Sequence, residues 1–391
     1  MRKHVPLIAI AFLLVSCSQS SNHVTPQLPH AVTPTQVTKD LPALRFLVSP
    51  DGTSIALCTF EKATIWNINL ANGARRQLGD EWDCNTLYVW RPKSRQVFFL
   101  RETPTGTGTG AILSVDADTG QTKMIVPDHA SYFVLSPDGQ RLAYSLGSVG
   151  ETQTLWIMNL EKAQAEQVST GWVGPFTWSI DGKRLLYNVS TQNEHAQPLA
   201  PRGVNHGYLA AYSIASSQLQ QVTPEFKQLG IAMWSPDGQW VTFNATLEQG
   251  EDPAVFLMAA DGSEPHPIGA EPGTSVAADW SPQSDCLLYT NSGATGSGAG
   301  QGLWQYRMDT KANTLLAQGN IRAAAWSPDG KKIVFLQDNR LLLIPAEGGA
   351  VLTVAEQVAE GDRLPSFQWL SATELVYLTT TGSLIQVANL G

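Results

Sequence analysis

The sequence predicts an all-β fold assembled from repeated four-stranded units. Three observations predict it. An apolar segment, often ending in Trp and followed by Ser-Pro-Asp-Gly, recurs along the chain. Each copy leads into segments that alternate apolar and polar residues with period two, the pattern of half-buried strands. And 12 Trp, 33 Gly and 23 Pro among 391 residues suit many short strands joined by tight turns. Hydrophobic residues at 43% supply a core, and 15% charged residues are too few for a disordered chain. The net charge of −9 argues against nucleic-acid binding, which needs a clustered positive face.

The first element is a targeting segment. Arg2, Lys3 and His4 precede an apolar run from Val5 to Val15, broken only by Pro6. The run is too short for a permanent span, which takes about 20 residues, and fits the apolar region of a secretory signal. It ends in Leu14-Val15-Ser16-Cys17, which resembles a bacterial lipobox. The resemblance implies a lipoprotein: a signal peptide over residues 1–16 is cut away, and Cys17 carries a diacylglycerol on sulfur and an acyl group on its new amino terminus. Several acyl chains anchor stably where one is marginal. Without Arg2 and Lys3, 23 basic residues face 34 acidic ones. Residues 17–31 read as a flexible tether of at most about 45 Å. In Gram-negative bacteria a Ser after the lipidated Cys, here Ser18, usually permits export to the outer membrane. The expected address is extracytoplasmic, on a cell membrane or outer membrane, with the lipid on Cys17 making the membrane a partner.

Residues 32–391 hold the repeat. Clear copies are Val48-Ser49-Pro50-Asp51-Gly52, Leu135-Ser136-Pro137-Asp138-Gly139, Trp178-Ser179-Ile180-Asp181-Gly182, Trp234-Ser235-Pro236-Asp237-Gly238 and Trp326-Ser327-Pro328-Asp329-Gly330. Degenerate copies begin at Trp90, Trp280 and Trp369. Each copy reads as four strands: a short apolar one, the Pro-Asp-Gly turn, two alternating strands, and a more polar fourth. Pro presets φ, Asp bonds back to the backbone and Gly accepts positive φ. Repeats of about 40–50 residues with four strands are the signature of propeller blades. The expected fold is a single eight-bladed β-propeller. The eighth copy lacks a fourth strand, and Pro34-Thr35-Gln36-Val37-Thr38 resembles other fourth strands. The N-terminal strand is therefore expected to close the last blade.

Trp-Ser-Pro-Asp-Gly followed after four to six residues by an aromatic resembles the TolB-type, or WD40-like, repeat over residues 32–391. The resemblance implies a propeller. TolB itself is usually described with six blades and a separate domain, so its partners do not carry over.

The Trp column (Trp90, Trp178, Trp234, Trp280, Trp326, Trp369) and the residues three before each repeat Ser, such as Phe133 and Phe176, share one strand face and are expected between blades. Chain direction sorts the loops. The Pro-Asp-Gly turns and third-to-fourth connections lie on one side. The second-to-third loops and blade-to-blade connections lie on the other. That second side carries every long insertion, at 102–110, 190–207, 247–253 and 291–302, so a ligand site is expected there. Candidates are Trp82, Asp83, Asp128, His129, Trp172, Phe226, Lys227, Arg322, Asp362 and Arg363, all in blade-to-blade connections. Asp279, a carboxylate on an innermost strand, faces the central channel or anchors a ligand or ion. His195, Arg202 and His206 in the 190–207 insertion have no metal-binding spacing, and no cofactor is expected. Cys58 and Cys84 fall near one end of the first blade, where a disulfide can form; Cys286 is expected buried.

No Gly-x-Ser-x-Gly elbow or His-Glu-x-x-His motif is present. The leading expectation is a noncatalytic binding or scaffold module for envelope proteins, peptides or glycans. The alternative is an extracytoplasmic enzyme, lyase, cyclase or glycosidase-like, at the loop-rich mouth of the channel, with Asp83, Asp128, Glu360 and Asp362 as acid and base. A structural role without a small ligand is the third.

Overall fold

The computed structural model describes residues 34–38, 40–59, 64–79, 88–103, 109–147, 153–171, 173–191, 204–248, 252–269, 273–293, 298–360 and 366–390. Among them are strands and turns, and no helix. Cys17, Trp82, Asp83, Cys84, Trp172, His195, Arg202, Asp362 and Arg363 lie outside the described residues.

The strands form six antiparallel sheets. Ala43–Val48, Ser54–Thr59, Ile65–Asn69 and Arg75–Gly79 make the first, each strand pairing with the next. The second has seven strands, because Thr122–Leu135 serves two units: it begins beside Gly110–Asp116 and ends beside Arg141–Leu146. The third also joins two units, starting at Val173–Trp178 and at Phe226–Trp234. Two four-stranded sheets follow, led by Ser275–Trp280 and by Ile321–Trp326. In the last, Phe367–Ser371, Glu374–Leu378 and Leu384–Val387 are joined by Thr35–Gln36, with Thr35 opposite Gln386.

The repeat motif builds the first turn of each unit. Ser49, Ser136, Ser179, Ser235 and Ser327 each donate a hydroxyl hydrogen bond of 2.6–2.7 Å to the motif Asp. The same hydroxyls accept the N–H five residues on at 2.9–3.0 Å. The glycines sit at φ of 67–71°, the left-handed region that a side chain disfavours. In the degenerate copy at Trp280, Ser284 takes that conformation at φ 63°, and Asp285 accepts the Ser281 hydroxyl at 2.7 Å. The turn needs a donor, an acceptor and one left-handed residue rather than four fixed letters.

Core packing lies between units. Trp90 and Tyr88 bury against Ala56 and Cys58 of the preceding unit, and Trp178 and Phe176 against Leu155 and Ile157. The indole N–H of Trp90 donates to the Leu47 carbonyl at 3.0 Å, and that of Trp178 to the Val134 carbonyl at 3.3 Å. Ala43, Phe46 and Ile55 of the first sheet cluster with Val376, Leu378 and Leu384 of the last. Truncating one such Trp to Ala removes about 3–5 kcal/mol. Cys58 is fully buried and disulfide-bonded, and Cys286 is a buried free thiol in the second strand of its unit.

Candidate functional site

The most chemically loaded place on the loop side lies where the fourth and fifth units meet. It is built by a strand that pairs with Arg184–Ser190 along one edge and divides its other edge between two partners. The end of Val204–Ser213 pairs with Gln218–Gln221. Its start instead reaches the first strand of the next unit, with Val204 opposite Leu229, Asn205 opposite Gln228 and Gly207 opposite Phe226. The Asn188 amide ties the inner strand of the fifth unit to the fourth, and the Asn244 amide ties the fifth unit to the sixth. Asn188 Nδ2 donates to the carbonyls of Leu229 and Gly230 at 3.1 and 2.9 Å, and Asn244 Nδ2 donates to the Ser275 carbonyl at 2.6 Å. The strand register slips between Leu229 and Ala232. A Cβ at Gly230 would stand 3.0 Å from the Asn244 Cβ, so the inner strand passes close only because glycine is there.

His206 follows the Val204–Asn205 pairings, at φ 45°, a conformation that non-glycine residues seldom adopt. Its carbonyl accepts the Thr191 N–H at 2.8 Å and the Thr191 hydroxyl at 3.1 Å. Its Nδ1 lies 3.4 Å from Glu248 Oε1. Thr191 Oγ1 is also 3.5 Å from Glu225 Oε2. The register sets Lys227, exposed, across from His206. Four loop-side segments thus bring together an imidazole, two carboxylates and a hydroxyl, with Lys227 across the strand pair from His206. An imidazole oriented by a carboxylate is a general base, and a second carboxyl nearby is an acid.

The sequence singled out Lys227 here and set His206 aside for want of metal spacing. It missed Glu225 and Glu248, which become neighbours only through the strand crossing. Among the described residues, no three His, Cys, Asp or Glu are placed to hold a metal ion.

The other described candidates stand apart. Phe226, expected as an exposed contact, is a correction: it is 1% exposed and packs edge-on against Phe243 and Phe256, at 5.6 and 5.1 Å between centroids. The crossing strand covers it. Asp128 and His129, expected in a connection, lie inside Thr122–Leu135, where His129 turns the chain at φ 59° between two units. Both are exposed, with His129 Nε2 3.7 Å from Asp128 Oδ2. Arg322 and Lys227 likewise lie within strands rather than connections, and Arg322 Nε is 3.6 Å from Glu360 Oε2.

Asp279 has a structural partner. Its Oδ2 accepts the Trp326 N–H at 2.9 Å, as Gln368 Oε1 accepts the Val48 N–H at 2.7 Å one residue before its own Trp. Both side chains tie an inner strand to the next unit. Burial pushes the Asp279 carboxyl up to about 6, against the opposing pull of the Trp326 and Trp280 N–H groups.

No family model matches the chain. Over 154 residues, 32% of the chain, it is 26% identical to the uncharacterized peptidase YuxL of Bacillus subtilis strain 168, and it spans 23% of that protein's length. The oligogalacturonate lyase of Vibrio parahaemolyticus superposes with a TM-score of 0.55 at 13% identity, over 94% of this chain and 99% of that one. A second oligogalacturonate lyase, in complex with manganese, gives 0.54 at 14% identity over 94% and 96%. The β-propeller domain of the Trilobed protease from Pyrococcus furiosus gives 0.50 at 12% identity over 77% and 94%. The fold is a β-propeller. At these identities the likeness concerns the fold. The expectation that the chain is more likely no enzyme is nevertheless corrected: the proteins it resembles are lyases and peptidases.

Proposed function

We propose that this chain is an extracytoplasmic enzyme that cleaves an oligosaccharide at the loop-side mouth of its propeller, by a glycosidase-like hydrolysis. The observation that carries the reading is the Glu248 carboxylate 3.4 Å from the His206 imidazole, with Thr191 linking the His206 main-chain carbonyl at 3.1 Å to the Glu225 carboxylate at 3.5 Å. Glycoside hydrolysis needs a carboxyl to protonate the leaving oxygen and a base to take the proton of the attacking water. Glu225 supplies the first. The Glu248–His206 pair supplies the second, and the bond formed is between water oxygen and the anomeric carbon.

A uronate lyase is the second reading, favoured by the near full-length likeness to two oligogalacturonate lyases. One experiment separates them. The detergent-solubilised full chain is incubated with neutral, amine-bearing and uronate oligosaccharides. New reducing ends without an unsaturated, ultraviolet-absorbing product mark hydrolysis; the unsaturated product marks a lyase. Glu225→Gln, Glu248→Gln and His206→Asn should each lower the rate by about 10²–10⁴-fold. If no saccharide is cut, the reading falls.

The scaffold is proposed to be an eight-bladed ring of the TolB-type repeat, closed by the N-terminal strand. The Thr35–Gln36 pairing, the Val48–Gln368 bond and the cluster joining first and last sheets support this. We also propose that residues 1–16 are a signal peptide, that Cys17 is lipidated, that residues 17–31 tether the 32–391 domain to its membrane, and that Cys58 pairs with Cys84.

A further inference from the structure

Among the described non-glycine residues at positive φ, only His129 and His206 lie inside a strand. His129 sits where two units join, and His206 where Val204–Ser213 runs beside two strands at once. The neighbours of His206 are pinned. Asn205 is held opposite Gln228, and Gly207 lies opposite Ser190 on one edge and Phe226 on the other. Between them, the His206 carbonyl accepts the Thr191 N–H at 2.8 Å and the Thr191 hydroxyl at 3.1 Å, with the Ser190 hydroxyl at 3.5 Å. Glycine would hold this φ without strain, yet a histidine occupies the position. Strain of this kind persists only where the surroundings impose it, and it collects at functional sites. The register shows what the strained backbone achieves. Gln228 pairs with Asn205 on one edge and with Thr246 on the other, so the inner strand separates His206 from the chain that carries Glu248. Two strand spacings are about 9–10 Å. The imidazole Nδ1 nevertheless lies 3.4 Å from Glu248 Oε1.

We infer that Thr191 is the positioning residue of this site. By holding the His206 carbonyl from both its N–H and its hydroxyl, it keeps the backbone in the left-handed conformation from which the imidazole reaches Glu248. The inference rests on the reading of the site given above and deepens it. A threonine hydroxyl has one proton to give. The His206 carbonyl at 3.1 Å is its nearer acceptor and Glu225 Oε2 at 3.5 Å the farther, so that proton is committed to the backbone. An imidazole held against its carboxylate is preorganised as a base, and letting it swing costs turnover rather than binding.

The test compares Thr191→Val, which keeps the side-chain shape without the hydroxyl, with Thr191→Ser, which restores the hydroxyl. Thr191 is exposed at a strand end, so either change leaves the fold intact. Crystal structures of the full chain read the backbone. In Thr191→Val, His206 should leave positive φ and its Nδ1 should move beyond about 4 Å from Glu248, outside ion-pair reach. In Thr191→Ser both should stay as in the parent. With whichever of the neutral, amine-bearing and uronate oligosaccharides the parent cleaves, Thr191→Val should lose about tenfold in kcat with KM unchanged, and Thr191→Ser should stay within about twofold of the parent. An unmoved His206 in Thr191→Val overturns the inference, whatever the rate. So does full activity in Thr191→Val, or a Thr191→Ser as slow as the valine variant. A parent that cuts no saccharide removes the catalytic reading, and the two structures still decide the positioning.

Discussion

Asp279 and the turn aspartates pull stability in opposite directions with pH. Burial raises the folded Asp279 pKa to about 6 from 3.8. Its contribution is therefore fully present below about pH 4 and is lost as pH rises through 6. Asp279→Asn keeps an acceptor for the Trp326 N–H and removes the charge. It should raise the melting temperature at pH 7.5 by about 1–3 °C and leave it unchanged at pH 4. A scan showing the gain at both values would refute burial of the charge as the cause. Asp51 behaves oppositely. Burial pushes it up, but the Ser49 hydroxyl, the Thr53 N–H and hydroxyl, and Arg95 outweigh that and hold it near 2. Its contribution is present above about pH 4 and is lost as pH falls toward 2. Asp51→Asn should therefore destabilise at pH 7 and converge with the parent near pH 2, as followed by acid denaturation.

At the scale of elements, the inner strand Phe226–Trp234 depends on its glycine and on the buried Asn188 amide. Gly230→Ala would press a methyl against Asn244, and Asn188→Leu would remove the side-chain donor to the Leu229 and Gly230 carbonyls. Each should cost about 1–3 kcal/mol, read from urea unfolding midpoints. The strands themselves were legible in the sequence. The Ser-Pro-Asp-Gly turns mark the start of each second strand, and period-two alternation marks the strands that follow. Two features were not legible. Thr122–Leu135 runs through a unit boundary: the ladder skips from Val126 to Ala130, and His129 turns the chain there, so Pro127 marks a bend inside one strand rather than the end of a strand. And Val204–Ser213 changes partners midway, which hid Glu225 and Glu248 and buried Phe226. Local pattern reports which face a residue takes, but not which of two neighbouring strands will claim an edge. Lys227 was picked out as a residue of a blade-to-blade connection, although it sits one residue inside the inner strand Phe226–Trp234.

For the whole molecule, the last sheet is completed by a segment nearly 350 positions away in the chain. Val37 N–H donates to the Leu384 carbonyl at 2.8 Å, and the Leu384 N–H donates to the Thr38 hydroxyl at 3.0 Å. Deleting residues 31–40 should lower the melting temperature and expose the Leu384–Val387 edge to hydrogen exchange. An unchanged melting temperature would rule out the closed ring. The same segment fixes a direction. Thr35 lies opposite Gln386, beyond Ile385, at the end of the strand that faces the Ser371–Glu374 turn. Thr35 therefore enters the last sheet from the face of the Ser371–Glu374 turn, opposite the face of His206. On the proposed anchoring at Cys17, the attachment enters the domain on the turn side and the mouth lies on the other. Such an enzyme would graze on polymers drifting past or borne on a facing surface, and would leave its own membrane untouched.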